Sequence, residues 1–197
     1  MECVPMPRAG VTPERVVREA ALLSDEEGFD ALTLSGVAQR FGVSVPSLYK
    51  HVEGLGGLRR SVARAGAQEL GACLREALDG RTGPDAWRVF AHAYRRFAHA
   101  HPGRYTALQR APLLPSGTEE APLSPDPVSV LAEVLQGLGV AESRHVPVMR
   151  ALRSALHGFV DLEANGGFGF PADVDTSFDV LVESCVRMLV PGADEHG

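Results

Sequence analysis

The sequence is poor in cysteine and in aromatic residues, and it has no long apolar run. Its three cysteines are far apart and odd in number, which excludes a disulfide framework or a paired-cysteine zinc site and indicates a reducing compartment. No stretch approaches the ~20 apolar residues that span a bilayer. The first ten residues carry neither a signal-peptide core nor a myristoylation pattern. We therefore expect a cytoplasmic protein that does not enter a membrane.

Strand patterns are also scarce in this sequence. Short β-branched runs of alternating polarity are almost absent, whereas apolar residues recur at helical spacing along nearly the whole chain. Apolar residues make up 45% of the 197 residues and charged residues 22%, which is the composition of a globular protein. The sequence therefore predicts an all-α fold, with a three-helix domain at residues 1–54 and a larger helical domain at residues 55–197.

Charge is distributed unevenly along the chain. The net charge of −6 argues against a nucleic-acid partner, but residues 1–64 hold equal numbers of basic and acidic residues. Within residues 31–64 a single acidic residue, Glu53, stands against five basic ones: Arg40, Lys50, Arg59, Arg60 and Arg64. A local basic patch matters more for phosphate contact than the charge of the whole chain, so this segment favours nucleic-acid binding.

Residues 33–51 have the pattern of a helix-turn-helix. Thr33 and Ser44 are the expected N-caps of two short helices, of which the second should extend to the end of this segment. Ala38 is small enough for the two helices to cross closely, and Gly42 suits a left-handed turn between them. Three apolar residues then fix the angle between the helices: Val37, Val43 and Leu48. Such an angle projects the second helix outward, as a reader of the major groove requires.

The second helix would present hydrogen-bond donors to double-stranded DNA. Tyr49, Lys50 and His51 can reach phosphate oxygens, and Thr33 adds a hydroxyl at a helix N-terminus. The tip of the helix would face base edges and thymine methyl groups; it comprises Ser44, Val45, Pro46 and Ser47. An ordinary turn between two core helices is the alternative. The caps, the apolar residues and the basic patch together favour DNA binding.

The most informative motif comprises Thr33-Leu34, Val37-Ala38, Phe41-Gly42-Val43-Ser44 and Leu48-Tyr49-Lys50-His51-Val52, preceded by one amphipathic helix. Over about residues 11–64 it resembles the DNA-binding domain of the TetR family of transcriptional repressors. The resemblance implies a homodimer that binds a palindromic operator. It also implies that an unknown small-molecule effector, bound in the larger helical domain, moves the long linking helix and releases the operator. The family's phosphate contacts and base-reading tip fall on the residues assigned those roles above.

Two positions depart from the family pattern. Many members carry a lysine for a phosphate at the start of the next helix, where this sequence has Leu55-Gly56-Gly57; Arg59 and Arg60 are the candidates to replace it. Ser35 and Gly36 also lack the long side chain that some members use to read a base. Further along, the segments His101-Pro102-Gly103-Arg104-Tyr105 and Ala155-Leu156-His157-Gly158-Phe159 resemble motifs of one TetR subgroup.

The second half of the chain carries candidate effector-binding residues. Aromatic side chains with a few polar groups are typical of small-molecule pockets. The candidates are Trp87, Phe90, Tyr94, Tyr105, Arg153 and His157. Tyr94 and Tyr105 are favoured because their hydroxyls can orient a ligand. An aromatic stripe at helical spacing is more often a plain core, and a histidine such as His157 among apolar residues is more often a hydrogen-bonded interior histidine than a ligand contact.

Two long helices are expected near the C-terminus, at about residues 144–164 and 176–189, each with an apolar face. Paired with their copies across a two-fold axis, they would form a four-helix bundle and hold two DNA-binding domains roughly 34 Å apart, one turn of DNA. Packing inside the monomer is the alternative. A glycine-rich break at residues 53–57 and a proline-rich loop at residues 111–127 are the expected sites of motion.

Other kinds of site have less support in the sequence. The three histidines between residues 92 and 101 lack further ligands at metal spacing, and no nucleophile motif or phosphate-cradling glycine loop is present. We expect no metal, no cofactor and no enzyme. Two alternatives to a DNA-binding regulator remain. One is a helical protein-interaction module with a vestigial DNA-binding domain, and the other is an enzyme with a site near His157, completed by Asp161 or Glu163.

Overall fold

The computed structural model describes residues 11–110 and 126–190. These residues form helices and no strand, which confirms the predicted all-α class. The helices are α1 (Pro13–Glu27), α2 (Leu34–Phe41), α3 (Val45–Leu48), α4 (Gly54–Leu78), α5 (Gly83–Ala100), α6 (Pro102–Arg110), α7 (Pro127–Gly137), α8 (His145–Ala164) and α9 (Val174–Leu189). None of them is long and apolar enough to cross a membrane. Most of the predicted proline-rich loop at residues 111–127 lies outside the described residues.

The described chain forms two compact units. The first comprises residues 11–66 together with α6, and the second comprises residues 67–101 and 126–190. The chain therefore leaves the first unit within α4 and returns to it at Pro102. The sequence pattern treats the two domains as contiguous segments and gives no sign that α6 packs with the N-terminal helices. The division of function at residue 54 stays a prediction.

Apolar side chains from α1 to α4 build the core of the first unit. Completely buried members include Val16, Leu32, Val37, Leu48, Leu58 and Val62. Burying one such side chain contributes roughly 1.5–3 kcal/mol. The helix α6 joins this core through Ala107 and lies so close to α1 that a Cβ at Gly103 would come within 2.0 Å of the Ser24 carbonyl carbon. Only glycine permits this approach.

The core of the second unit is centred on the amphipathic helix α5. Its buried face includes Trp87, Phe90, Tyr94 and Phe97. The Trp87 indole N–H donates to the Val182 carbonyl oxygen on α9 at 3.1 Å, so the one polar atom of this side chain is paired inside the core. The helix α8 adds its own buried residues, Leu152, Leu156 and Val160.

The predicted break at residues 53–57 is wrong, because the structure makes most of it the first turn of α4. The helix begins at Gly54, and the Gly57 N–H donates to the Glu53 carbonyl oxygen at 3.2 Å. Leu58, which is completely buried, fixes this turn against the core. A hydrogen-bonded turn with a buried anchor therefore outweighs the low helix propensity of three glycines.

Candidate functional site

The first helix of the predicted motif begins and ends where its sequence indicates. The Thr33 hydroxyl oxygen accepts the Gly36 N–H at 3.1 Å and caps α2. Gly42 is left-handed, with φ 64° and ψ 35°, and the following Val43 N–H donates to the Ala38 carbonyl oxygen at 3.0 Å. These bonds satisfy the last carbonyls of α2 and turn the chain sharply into α3.

The second helix is shorter than predicted. We expected it to reach His51, but α3 ends at Leu48. The Leu48 carbonyl oxygen accepts two N–H groups, from His51 at 2.8 Å and from Val52 at 3.1 Å. The three-residue bond tightens the chain into a turn, which ends the regular helix. Because Leu48 is completely buried, this turn carries Tyr49 and Lys50 to the outside.

All eight predicted DNA contacts keep accessible surface. Five are exposed: Thr33, Ser44, Pro46, Tyr49 and Lys50. Three are half-buried: Val45, Ser47 and His51. Tyr49 is 59% exposed, so its ring and hydroxyl are accessible to a partner molecule. The Ser44 and Ser47 hydroxyls lie 3.0 Å apart and share a hydrogen bond. The structure thus gathers these residues on one motif, and their contacts with DNA stay a prediction.

The basic patch is partly neutralised by acidic residues, of which Glu26 lies outside residues 31–64. Arg40 forms an ion pair with Glu26 on α1. Arg60 lies 3.3 Å from a Glu53 carboxylate oxygen. In contrast, Lys50 is the only lysine of the sequence, is exposed, and takes part in none of the ion pairs of the described residues. The charge directed outward from the motif is therefore concentrated at Lys50 rather than spread over the patch.

The two candidates to replace the missing lysine differ in their surroundings. The Arg59 guanidinium donates to the Asp30 carbonyl oxygen at 3.1 Å and lies 5.5 Å from the centre of the Phe29 ring. Its position is fixed by the first unit. Arg60 is paired with Glu53, whose side chain is 89% exposed, and such surface pairs are weak. Arg60 is therefore the arginine that can turn toward a phosphate.

The predicted effector residues do not form one cluster in the structure. Trp87, Phe90 and Tyr94 are buried in the second unit, whereas Tyr105 is buried in the first unit on α6. On α8 the remaining candidates are an exposed Arg153 and a half-buried His157. For Trp87 the satisfied indole and complete burial favour the core role. A role in effector binding stays a prediction for all six residues: Trp87, Phe90, Tyr94, Tyr105, Arg153 and His157.

A surface groove of about 340 Å³ lies between α4 and α5 and contains none of those six residues. Its lining comprises Cys73, Glu76, Ala77, Ala93, Arg96, Phe97, Ala100 and His101. Three of the lining residues are alanines, Ala77 on α4 and Ala93 and Ala100 on α5. Their short side chains leave space between the two helices and are the sequence signal for this groove. Burial raises the pKa of the Cys73 thiol, helped by the neighbouring Glu76. The groove therefore offers an apolar floor with charged edges and no thiolate.

The carboxylate considered for an enzyme site is used elsewhere. Glu163 accepts hydrogen bonds from Arg95 and His99 on α5. The hydrogen bond from Arg95 holds the pKa of Glu163 below its usual range. An ionised carboxylate held by an arginine is not available as a general acid or base near neutral pH. This geometry gives no support to an enzyme site that uses Glu163.

The whole chain resembles known regulators. The family described as the tetracyclin repressor-like, C-terminal domain matches residues 87–185. Over 188 residues the chain is 35% identical to Rv0681, an HTH-type transcriptional regulator of Mycobacterium tuberculosis, covering 95% of this chain and 84% of the relative. Over 185 residues it is 33% identical to YobS, an HTH-type transcriptional regulator of Bacillus subtilis, covering 93% and 95%.

A solved structure shows the same fold. Apo ActR from Streptomyces coelicolor superposes with a TM-score of 0.71 at 19% identity, covering 96% of this chain and 99% of ActR. Together with the exposed helix-turn-helix, these likenesses define a helix-turn-helix transcriptional regulator. The chain belongs to the TetR family. The resemblance drawn from the motif at residues 33–52 is thereby confirmed.

Proposed function

We propose that this regulator binds a palindromic operator as a homodimer and represses transcription in the cytoplasm until a small molecule releases it. The observation that carries this proposal is the shape of the helix-turn-helix. Leu48 is completely buried, while Tyr49 and Lys50 beside it are exposed. The motif is therefore anchored by one side chain and presents its neighbours to a groove.

The hydrogen bonds of the motif suggest how each group acts on DNA. The Thr33 hydroxyl already accepts the Gly36 N–H, so its own hydrogen is left to donate to a phosphate oxygen. Lys50 and Tyr49 donate to neighbouring phosphates. In the Ser44–Ser47 pair one hydroxyl donates to the other, which leaves one outward donor for a base edge. His51 adds a phosphate contact, and Val45 and Pro46 meet thymine methyl groups.

Dimerisation is supported by apolar side chains on the surface of the second unit. Val146, Leu162, Val180 and Met188 on α8 and α9 are between 49% and 59% exposed, and Phe170 between these helices is 89% exposed. Exposed apolar side chains along two helices of one unit favour an interaction surface there. A second copy of α8 and α9 would cover it as a four-helix bundle, and a two-fold axis matches a palindromic operator.

Effector binding is supported by fold neighbours that hold small molecules. ActR has been solved in complex with (S)-DNPA, and a variant of TetR from Acinetobacter baumannii AYE has been solved in complex with minocycline. In this chain the candidate places for an effector are the surroundings of the six predicted residues and the groove between α4 and α5. Effector binding shifts the DNA-bound population only by its difference in affinity for the two states, typically ~1–3 kcal/mol.

Selection of bound duplexes from a random pool tests the proposal most directly. The full chain should enrich a palindrome whose half-sites lie about one helical turn apart, with affinity that falls steeply as salt increases. Small molecules are then screened for release of the selected duplex. Enrichment of no duplex, or binding that ignores salt, would contradict the proposal. Either result would favour the protein-interaction module. That module is the second candidate because Arg40 and Arg60 are paired with carboxylates of the same chain.

A further inference from the structure

Two apolar features lie at opposite ends of the helix pair α8 and α9. One is the Phe170 ring, which lies in the segment between the two helices and is 89% exposed. The other is a groove of about 240 Å³ between the first turns of α8 and the last turn of α9. Its lining comprises Arg144, Pro147, Val148, Ala151, Met188 and Leu189. The second unit therefore carries both an apolar projection and an apolar recess.

The segment that carries Phe170 is held against α8. The Gly167 N–H donates to the Leu162 carbonyl oxygen at 2.7 Å. The Phe168 ring packs on Phe159 of α8, with 4.7 Å between the two ring centres. Phe168 is thus used inside the chain, while Phe170 two positions later points outward. A ring presented by a fixed segment loses little conformational entropy when a partner covers it.

Phe170 cannot fill the groove of its own chain. Ala151 in the groove lies 13 residues before Ala164, the last residue of α8, which is roughly 20 Å at the rise of an α-helix. Phe170 lies beyond that end of the helix. A second copy brings the ring to the groove when the two helix pairs lie antiparallel. A two-fold axis perpendicular to the helices then makes the same contact twice.

Charge at the Phe170 end of the helix pair is negative. Residues 161–175 carry four carboxylates and no basic residue. Glu163 and Asp175 are paired with Arg95 of α5. The other two carboxylates are exposed and belong to Asp161 and Asp173. Two copies that met at this end would therefore bring like charges together, which costs free energy.

Charge at the groove end is positive. Residues 142–151 and 184–190 hold one acidic residue, Glu142, and three exposed arginines: Arg144, Arg150 and Arg187. An antiparallel pairing places these arginines beside the carboxylates that flank Phe170 in the other copy. Opposite charges steer and orient the partners of an interface, so the charge distribution favours the arrangement in which the ring meets the groove.

We propose that, in the homodimer, Phe170 of each protomer seats in the groove between Ala151 and Met188 of its partner. This inference rests on the dimer proposed above and assigns the residue that each copy supplies to the other. The groove has room for the ring, because a dry cavity of about 150 Å³ already accepts benzene and this groove measures about 240 Å³. The two-fold axis removes two rings from water at once.

Cysteine cross-linking of the full chain tests which ends meet. The natural cysteines are first replaced, as C3S, C73S and C185A. In this background A151C/F170C should form a disulfide-linked dimer under mild oxidation, because the two sulfurs come within reach across the interface. Within one chain the same positions are too far apart for a disulfide. F170C alone is the matched control and should stay unlinked, since the two copies of position 170 lie at opposite ends of the dimer.

Sedimentation of F170A measures what the ring contributes. The dimer dissociation constant should rise about a hundredfold, because two rings lose their apolar burial together. A151W, which fills the groove with a side chain of its own chain, should weaken the dimer in the same way. Leu22→Ala is the control, since Leu22 is an exposed apolar residue of the first unit and should leave the dimer unchanged.

The outcomes separate this contact from the homodimer itself. A linked dimer of F170C alone, a dimer in which A151C/F170C stays unlinked, or an F170A dimer of unchanged affinity overturns the proposed contact and leaves the homodimer standing. A natural chain that sediments as a monomer at every concentration contradicts the homodimer, and the contact fails with it. A link formed by A151C/F170C and not by F170C, with weaker dimers of F170A and A151W, supports the contact.

Discussion

Both units of this regulator have a buried apolar core, but they differ in the contacts that add to it. In the first unit α6 packs on α1 through a close backbone approach at Gly103 and a partly buried ion pair between Arg104 and Asp25, 3.2 Å apart. In the second unit α5 holds α8 and α9 with a row of ion pairs that reach the surface. A close-packed contact tolerates no added atom, whereas partly exposed charges respond to pH and salt. The first unit therefore depends on a close backbone fit at Gly103, whereas the ion pairs of the second unit can respond to pH and salt.

Substitution of Gly103 by valine is the strongest way to break the first unit. A Cβ at this position would lie 2.0 Å from the Ser24 backbone, so α6 has to move away. We expect the free energy of unfolding to fall by about 3 kcal/mol, measured by urea denaturation. Gly158 on α8 is the matched control, since a Cβ there meets nothing within 4 Å. Gly158→Ala should stabilise the chain by about 0.5–1 kcal/mol. Equal losses from both variants would contradict the difference drawn between the units.

Substitution of Val180 by aspartate tests the apolar surface of the second unit. Val180 is 59% exposed on α9, so the chain should still fold. The dimer dissociation constant should rise about a hundredfold, because an unpaired carboxylate buried at an interface costs roughly 3 kcal/mol. Val128→Asp on α7 is the control, since Val128 is 60% exposed on another helix. Sedimentation that finds both variants equally dimeric would remove α9 from the interface.

Substitution of Arg95 by glutamine breaks the ion pairs by which α5 contacts both α8 and α9. It leaves Glu163, with 16% of its side chain exposed, without its main partner, which should cost roughly 2 kcal/mol. Arg88→Gln breaks the more exposed ion pair with Glu183 and should cost less than about 1 kcal/mol. Thermal unfolding at neutral pH separates the two, and an equal loss from both would show that Arg95 has no special position.

Acid should weaken the same contact. Because Arg95 lowers the pKa of Glu163 from the ordinary value near 4.5, the folded state gains stability above that value and loses it as the pH falls through the lowered one. The natural chain should therefore lose stability below about pH 4.5 more steeply than Arg95→Gln.

Local signals explain why the helix-turn-helix could be predicted from the sequence. Thr33 caps α2 and Gly42 ends it, and each residue acts on backbone groups within a few positions of itself. The early end of α3 could not be predicted, because it depends on how Leu48 is buried in the folded unit. The net positive charge of the basic patch was overestimated because it too depends on a contact made only in the folded unit. Glu26, which pairs with Arg40, lies on α1 and outside the segment that was counted.

Long-range contacts explain what the sequence did not reveal. The membership of α6 in the first unit depends on the approach of Gly103 to Ser24, and nothing in a single sequence links positions so far apart. The ion pairs of α5 with α8 and α9 are different, since the helical spacing of the basic residues is visible in the sequence: Arg88, His92, Arg95 and His99. Their role could not be predicted without the carboxylate partners on α8 and α9, because four basic residues on one helix face are equally typical of a solvated surface.

The smallest expected effect concerns the DNA contact of Lys50. Lys50→Ala should weaken binding to the selected operator and to unrelated duplexes alike, by about 1 kcal/mol, and should reduce the slope of log affinity against log salt by about 1. The reason is that Lys50 is exposed and outside the ion pairs of the described residues, so its charge is available to a phosphate. Arg40→Ala is the control, because Arg40 is already paired with Glu26 on α1 and should change the slope less. Fluorescence anisotropy titrations at several salt concentrations measure both variants. An unchanged slope for Lys50→Ala would remove Lys50 from the phosphate contacts, and a larger change for Arg40→Ala would transfer that role to α2.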